Sequence, residues 1–329
     1  MIAPVLARSS LQASRSAVAA STSRAFSTTM LREKDVKNVT VFGGGLMGSG
    51  IAQVLAHKGG YNVTLTDVTD KALTGGKTIM SKSLTRIAKK QLADKPAEEQ
   101  EAYVKKIVDS VRTTTDAAEA VKDTDLVIEA IIENVGIKQQ LFEFLDSKAP
   151  KDAIFASNTS SLSITDVAKT TSRKDRFGGF HAFNPVPQMK LIEVVKTSET
   201  SQDTFDSLIE VAKKMGKVPV ACVDSPGFIV NRLLVPYMLE AIRLVERGDA
   251  SVQDVDTAMK LGAGYPMGPF ELSDLVGLDT LSHIAKGWRE SRVSTGEISE
   301  EIVKESKLLE DLVKQGKLGK KSGGGFYPA

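Results

Sequence analysis

Short runs of β-branched and aromatic residues alternate along this chain with longer segments whose apolar positions recur at helical spacing. The first run, Val39, Thr40, Val41 and Phe42, is followed at once by glycines. It is too short for a helix and rich in strand formers, so it predicts a buried strand. Residues 46–58 predict a helix closed by Gly59 and Gly60, and 61–66 a second strand ending at Asp67. Residues 70–92 and 97–111 are helical in pattern, with a polar, lysine-rich side. Strands follow at 125–131, 153–157, 176–180 and 218–223, helices at 136–148, 164–169 and 204–215, and an apolar run covers 189–196. Strands alternating with helices predict the α/β class, with a mostly parallel, doubly wound sheet.

The strand pattern stops at Asp224-Ser225-Pro226-Gly227. Beyond it, 228–245 reads as an apolar helix kinked or interrupted at Pro236, and helices are predicted near 252–261, 270–286 and 299–314. The 329 residues therefore divide near Val223. An α/β domain is predicted over 34–223 and an all-helical C-terminal domain over 224–329. A long apolar helix in a small helical domain usually buries itself against something, and part of that surface is available to a second subunit.

Composition narrows the picture. The net charge is +2 and no basic stripe interleaved with aromatics is visible, so nucleic acid is not an expected partner. No run approaches the roughly 18 apolar residues of a membrane helix. The single cysteine, Cys222, excludes an intrachain disulfide and reads as a small buried hydrophobe. Up to Arg32 the chain carries Arg8, Arg15, Arg24 and Arg32 but no lysine and no acid, amid serine, threonine and alanine. That is the composition of a mitochondrial transit peptide, expected over residues 1–30, with the mitochondrial matrix as destination.

Gly43-Gly44-Gly45-Leu46-Met47-Gly48 fits G-x-G-x-x-G directly between the first strand and the first helix. Gly43, Gly45 and Gly48 let the backbone approach a pyrophosphate, and the helix N-terminus at Leu46 and Met47 offers N–H groups and a positive dipole end. Asp67 closes the second strand 19 positions after Gly48, where an acid accepts hydrogen bonds from ribose hydroxyls. It would repel a 2′-phosphate, and no arginine follows closely, so a Rossmann-type site for NAD is favoured over one for NADP. A glycine turn without nucleotide and an FAD site are the other readings of such a loop.

Of three histidines, His57 lies near a helix end and His283 within a C-terminal helix, both with structural readings. His181 ends an apolar run that reads as a strand, and in a parallel sheet the strand's carboxyl end is where ligands bind. Glu193 sits inside the next apolar run, Lys190-Leu191-Ile192-Glu193-Val194-Val195, where a carboxylate is costly unless paired. The two predict an acid–base dyad, the alternative being a core histidine and an unrelated surface glutamate.

The segments VFGGGLMGSGIAQ, FASNTSSLSI, HAFNPVPQMKLIEVV, DSPGFIVNRLLVPYMLEAI, KLGAGYPMGPFEL and GKKSGGGFY span nearly the whole chain beyond the N-terminal stretch. They resemble the mitochondrial short-chain L-3-hydroxyacyl-CoA dehydrogenases of fatty-acid β-oxidation. The resemblance implies a nucleotide-binding α/β domain followed by a helical domain that dimerises. It also implies NAD-dependent oxidation of an (S)-3-hydroxyacyl-CoA, with His181 as base and Glu193 orienting it. Ser160, Asn184 and Asn231 then match polar groups around the reacting oxygen and the acyl-CoA carbonyls. Glu133 and Lys138 match positions near the nicotinamide ribose, and Ser83 and Lys90 a helix that contacts CoA. Each has a plainer reading: Ser160 as a helix cap, Asn184 as an Asx turn before Pro185, Asn231 as a structural hydrogen bonder, Glu133 and Lys138 as a solvated helix start, Lys90 as part of a solvated lysine face. The competing functions are a related hydroxyacid dehydrogenase acting without CoA and a non-catalytic NAD-binding protein. The resemblance suggests no metal.

Overall fold

The computed structural model describes residues 35–328, so the transit-peptide expectation for residues 1–30 lies outside the described residues. The first part of the chain builds one eight-stranded sheet. Its strands are β1 (Asn38–Phe42), β2 (Asn62–Thr66), β3 (Arg112–Thr114), β4 (Leu126–Glu129), β5 (Ile154–Ser157), β6 (Phe177–Ala182), β7 (Leu191–Lys196) and β8 (Val218–Val223), in the order β3-β2-β1-β4-β5-β6-β7-β8. Every pairing is parallel except β6 with β7. The order reverses between β1 and β4, which opens a crevice at their carboxyl ends.

Helices cover both faces. α1 (Leu46–Val54), α2 (Asp70–Gln91) and α7 (Gln202–Lys214) pack one side through Ile51, Leu73, Met80 and Leu208. On the other, α4 (Ala117–Val121), α5 (Val135–Asp146) and α6 (Ile164–Val167) bury Val121, Phe142 and Val167. This two-sided cover is why β4 and β5 are buried at every position and read as continuous apolar runs. α3 (Ala97–Ser110) lies against α2 as a helical hairpin, with Leu84, Ala88 and Val104 between them. Helix starts carry the side-chain caps their sequences offer: Thr69, Asp116, Asn134 and Ser201 each accept an N–H from the first turn.

After Val223 no further strand forms among the described residues. α8 (Val230–Glu246), α9 (Val252–Gly262), α10 (Pro269–Val276), α11 (Leu278–Ser291) and α12 (Lys307–Lys314) enclose a second core around Met238, Ile242, Phe270, Leu281 and Trp288. Two buried acids tie the chain's final segment to it. Asp274 accepts the Phe326 and Tyr327 amides, and Asp256 accepts the Tyr327 hydroxyl at 2.7 Å.

Several element boundaries differ from the sequence reading. Helix 46–58 changes after Val54 into a wider, π-type turn over Leu55–Gly59. α8 continues through Pro236 without interruption. Helix 270–286 is two helices separated by Gly277, whose φ of 104° no other residue type adopts readily. Helix 299–314 is a short 3₁₀ turn and α12, broken by residues 304–306. Cys222 is half-buried rather than enclosed; desolvation, helped by the nearby Glu193 and Asp224 charges, pushes its thiol up to about 12.

Candidate active site

The antiparallel pairing of β6 with β7 sets His181 directly opposite Glu193. Opposite residues of an antiparallel pair share a face, so the two side chains must meet. The His181 Nδ1–H donates to Glu193 Oε2 at 2.7 Å, with both side chains buried. Phe183 and Phe228 flank the imidazole, with ring centroids 4.4 and 5.6 Å away. Glu193 Oε1 accepts the backbone N–H groups of Ile229 and Val230 at 3.0 and 2.9 Å. Burial opposes ionisation of Glu193, but the His181 hydrogen bond and the two amides outweigh it and hold the carboxyl below its ordinary range. With Nδ1 engaged by a carboxylate, Nε2 is the ring nitrogen left for proton exchange.

The parallel arrangement puts the carboxyl ends of β1, β4, β5 and β6 on one edge of the sheet, so the glycine loop and His181 share that edge. A cavity of ≈ 1030 Å³ lies at the β1/β4 reversal, lined by the loop from Gly43 to Met47, by Asp67 and by Ala130 and Ile131. Gly43 has φ 112°, and a Cβ there would strike the Ala130 carbonyl; a Cβ on Gly48 would strike the Gly43 carbonyl. Nothing lies within 4 Å of a Cβ built on Gly45, so that backbone is open to a ligand. Asp67 Oδ2 accepts the Gly44 amide at 2.6 Å, which fixes the acid beside the loop. These residues fit a dinucleotide: an N–H-bearing helix start for its pyrophosphate and an acid for its ribose hydroxyls.

A second charged cluster lies beside the cavity. Lys138 on α5 is buried between Glu129 Oε1 at 2.5 Å and Glu133 Oε2 at 3.2 Å. Glu129 is fully buried and also accepts the Ser157 hydroxyl at 2.6 Å and the Ile131 amide at 2.7 Å. Glu133 Oε1 accepts the Thr159 hydroxyl, the Ser160 amide and the Ser161 hydroxyl. Burial raises the proton affinity of Glu133, but the Lys138 charge and the Thr159 and Ser160 hydrogen bonds prevail and keep it below the ordinary carboxylate range. The cluster thus holds the loop after β5. Asn231 Nδ2, from α8, donates to the Ser160 carbonyl at 3.1 Å and closes the same loop from the other side.

Two family models match the chain. "3-hydroxyacyl-CoA dehydrogenase, NAD binding domain" matches residues 38–225, and "3-hydroxyacyl-CoA dehydrogenase, C-terminal domain" matches 227–329. The chain belongs to the 3-hydroxyacyl-CoA dehydrogenase family. It is 56% identical over 292 residues to the mitochondrial hydroxyacyl-coenzyme A dehydrogenase of Rattus norvegicus, covering 89% of this chain and 91% of the rat protein. The Homo sapiens protein of the same name gives the same figures. Among solved structures, FadB2 of M. tuberculosis has a TM-score of 0.80 at 42% identity, covering 89% of this chain and 99% of that one. The (S)-3-hydroxybutyryl-CoA dehydrogenase PaaH1 of Ralstonia eutropha has the same TM-score and the same two coverages, at 38% identity.

For this family member, the cavity at the β1/β4 reversal belongs to an NAD-binding domain, as the glycine loop and Asp67 had indicated. The structure pairs His181 with Glu193 and joins Lys138, Glu133, Ser160 and Asn231 in a second network, the two meeting in sequence at the start of α8. Asn184 is exposed on the turn between β6 and β7, preceding Pro185. Ser163, not Ser160, caps α6. Ser83 and Lys90 lie seven residues apart on α2, hence on one face, and no hydrogen bond or ion pair joins them to the dyad. His57 is held by Tyr103 from α3, and His283 is exposed on α11, so both keep structural readings. Sequence reasoning missed Glu129, Asn158, whose Oδ1 accepts the Ala182 amide beside His181, and Phe228. Glu129 carried the same signal as Glu193, an acid inside an apolar run.

Proposed function

We propose that this protein oxidises (S)-3-hydroxyacyl-CoA to 3-oxoacyl-CoA through the His181–Glu193 dyad. NAD, when bound, supplies the hydride acceptor. The observation that carries the reading is the 2.7 Å contact of Nδ1 with Glu193, which leaves Nε2 to take the substrate 3-hydroxyl proton as the C3 hydride departs. Glu193 orients the ring and stabilises the imidazolium; in the reverse direction the same imidazolium returns the proton. Gly43, Gly45, Leu46, Met47 and Gly48 hold the pyrophosphate, and Asp67 the adenosine ribose. Glu133, positioned by Lys138, serves the nicotinamide ribose. Ser160, Asn184 and Asn231 place the reacting oxygen and the acyl-CoA carbonyls, and Ser83 and Lys90 hold CoA.

Following NADH absorbance with acetoacetyl-CoA tests this reading. A folded sample that oxidises no NADH above background refutes it. Activity that persists when CoA is removed from the substrate favours a hydroxyacid dehydrogenase that does not need CoA.

The protein acts in the mitochondrion, a reading supported by the mitochondrial relatives and by the arginine-bearing, acid-free N-terminal composition. The matrix is our finer assignment, with cleavage near residue 30. Domains over 34–223 and 224–329 are supported by the change from sheet to helices after Val223. A homodimer through the helical part is supported by exposed Leu233, Leu261, Tyr265 and Leu275. No helix among the described residues is long and apolar enough to cross a membrane.

A further inference from the structure

Phe228 stands between the sheet and the helical part with φ 52°, the one positive φ outside glycine among the described residues. That region is sterically unfavourable for a bulky side chain, and such outliers gather at functional sites. Its ring is 4% exposed, and its centroid lies 5.6 Å from that of His181, inclined at 56°. Its own amide donates to the Ser225 carbonyl, and the next two amides, of Ile229 and Val230, donate to Glu193 Oε1.

We infer that Phe228 is a positioning residue for proton transfer. Its left-handed turn brings two amides onto Glu193 Oε1, which commits Oε2 to His181, while its ring completes the apolar cover of the imidazole. This rests on the reading of His181 as the base. The amides fix the carboxylate's rotation, and the ring keeps water from competing for Nδ1 or solvating the charged imidazole. Two ionisable groups on the adjoining chain have partners of their own. Cys222 lies on β8, with its thiol directed to the Val194 carbonyl. Asp224 is held by Ser163, Ile164 and Thr165.

The test is the pH dependence of kcat/KM for (S)-3-hydroxybutyryl-CoA in the full chain with NAD, with NAD affinity measured in parallel. Phe228→Gly tolerates the positive φ and keeps the turn but uncovers the ring. It should lower kcat/KM by roughly 10- to 100-fold, with NAD affinity within about 2-fold of wild type. The acid limb of the profile should also differ from wild type, because the ring then meets water in place of the apolar cover. Phe228→Leu should show both changes in smaller degree, and it decides alone if the glycine variant does not fold. A wild-type acid limb in the folded variants overturns the inference, including where kcat falls only in step with the folded fraction. His181→Gln is the control. If it turns over normally, the base assignment fails; if it is inert while the Phe228 variants keep the wild-type limb, only the role of Phe228 fails.

Discussion

Two buried carboxylates of this sheet have partners of different chemistry. Glu193 on β7 faces a histidine, and Glu129 on β4 faces a lysine. Both lie within apolar strands, both are fully buried, and both accept backbone amides as well as a charged or chargeable partner. The difference lies in the partner. An imidazole can both donate and accept a proton, so the role proposed for the carboxylate beside it is in proton transfer. A lysine side chain offers only N–H donors, so the Glu129–Lys138 pair holds structure and keeps Lys138 against Glu133. Their neighbours agree. Glu193 binds the start of α8, which carries Asn231, whereas Glu129 binds Ser157 and the chain leaving β4. A buried acid in an apolar strand thus marks a built site, and its partner's chemistry says what the site does.

Substitutions break the comparison in order of expected effect. His181→Gln should reduce turnover by roughly 10³- to 10⁴-fold, measured as NADH formation, with its melting temperature near wild type. Glu129→Gln should act on stability instead. It leaves Lys138 buried with only the more distant Glu133, a loss of about 3 kcal/mol readable by denaturant unfolding. Glu193→Gln should lower kcat by roughly 100-fold while leaving NAD affinity unchanged, which separates it from Glu129→Gln. The smallest effect is expected at Asn231→Ala, about 1 kcal/mol from one hydrogen bond to the Ser160 loop, read as a raised KM for acyl-CoA.

Acid also tests the pair of regions. The carboxyls of Glu193 and Glu133 are both depressed in the folded state. Their contribution is therefore complete above the unfolded value, about 4.3, and is lost as pH falls through the lower folded values. Burial of His57 lowers its proton affinity in the fold and adds a decline of its own between pH 7 and 5. The two acids should add a steeper fall in unfolding midpoint below about pH 5, and the same steepening in Glu133→Gln would contradict the assignment of that acid.

Much of this was legible in the chain. The glycine loop and Asp67 are readable because backbone approach and ribose binding each demand one residue type at one spacing. The dyad was readable because an acid in Lys190-Leu191-Ile192-Glu193-Val194-Val195 must be paired. The direction of β7 was not, since an apolar run has no polarity, and only the antiparallel register puts His181 and Glu193 face to face. Lys138 reads as a solvated helix residue, yet it is 1% exposed, because its partner Glu129 is nine residues away on another element. The turn at Phe228 was hidden by Gly227, which accounts on its own for a left-handed turn in the sequence. The break at Gly277 was missed because a lone glycine within helical periodicity costs only about 1 kcal/mol and is often tolerated.

The dyad's role in proton transfer is tested most directly by the pH dependence of hydride transfer in a single turnover, comparing wild type with His181→Gln at saturating NAD and (S)-3-hydroxybutyryl-CoA. The wild-type rate should rise with pH along one ionisation limb, and that limb should vanish in the variant while NAD still binds. The same limb, at a similar rate, in His181→Gln would contradict the account.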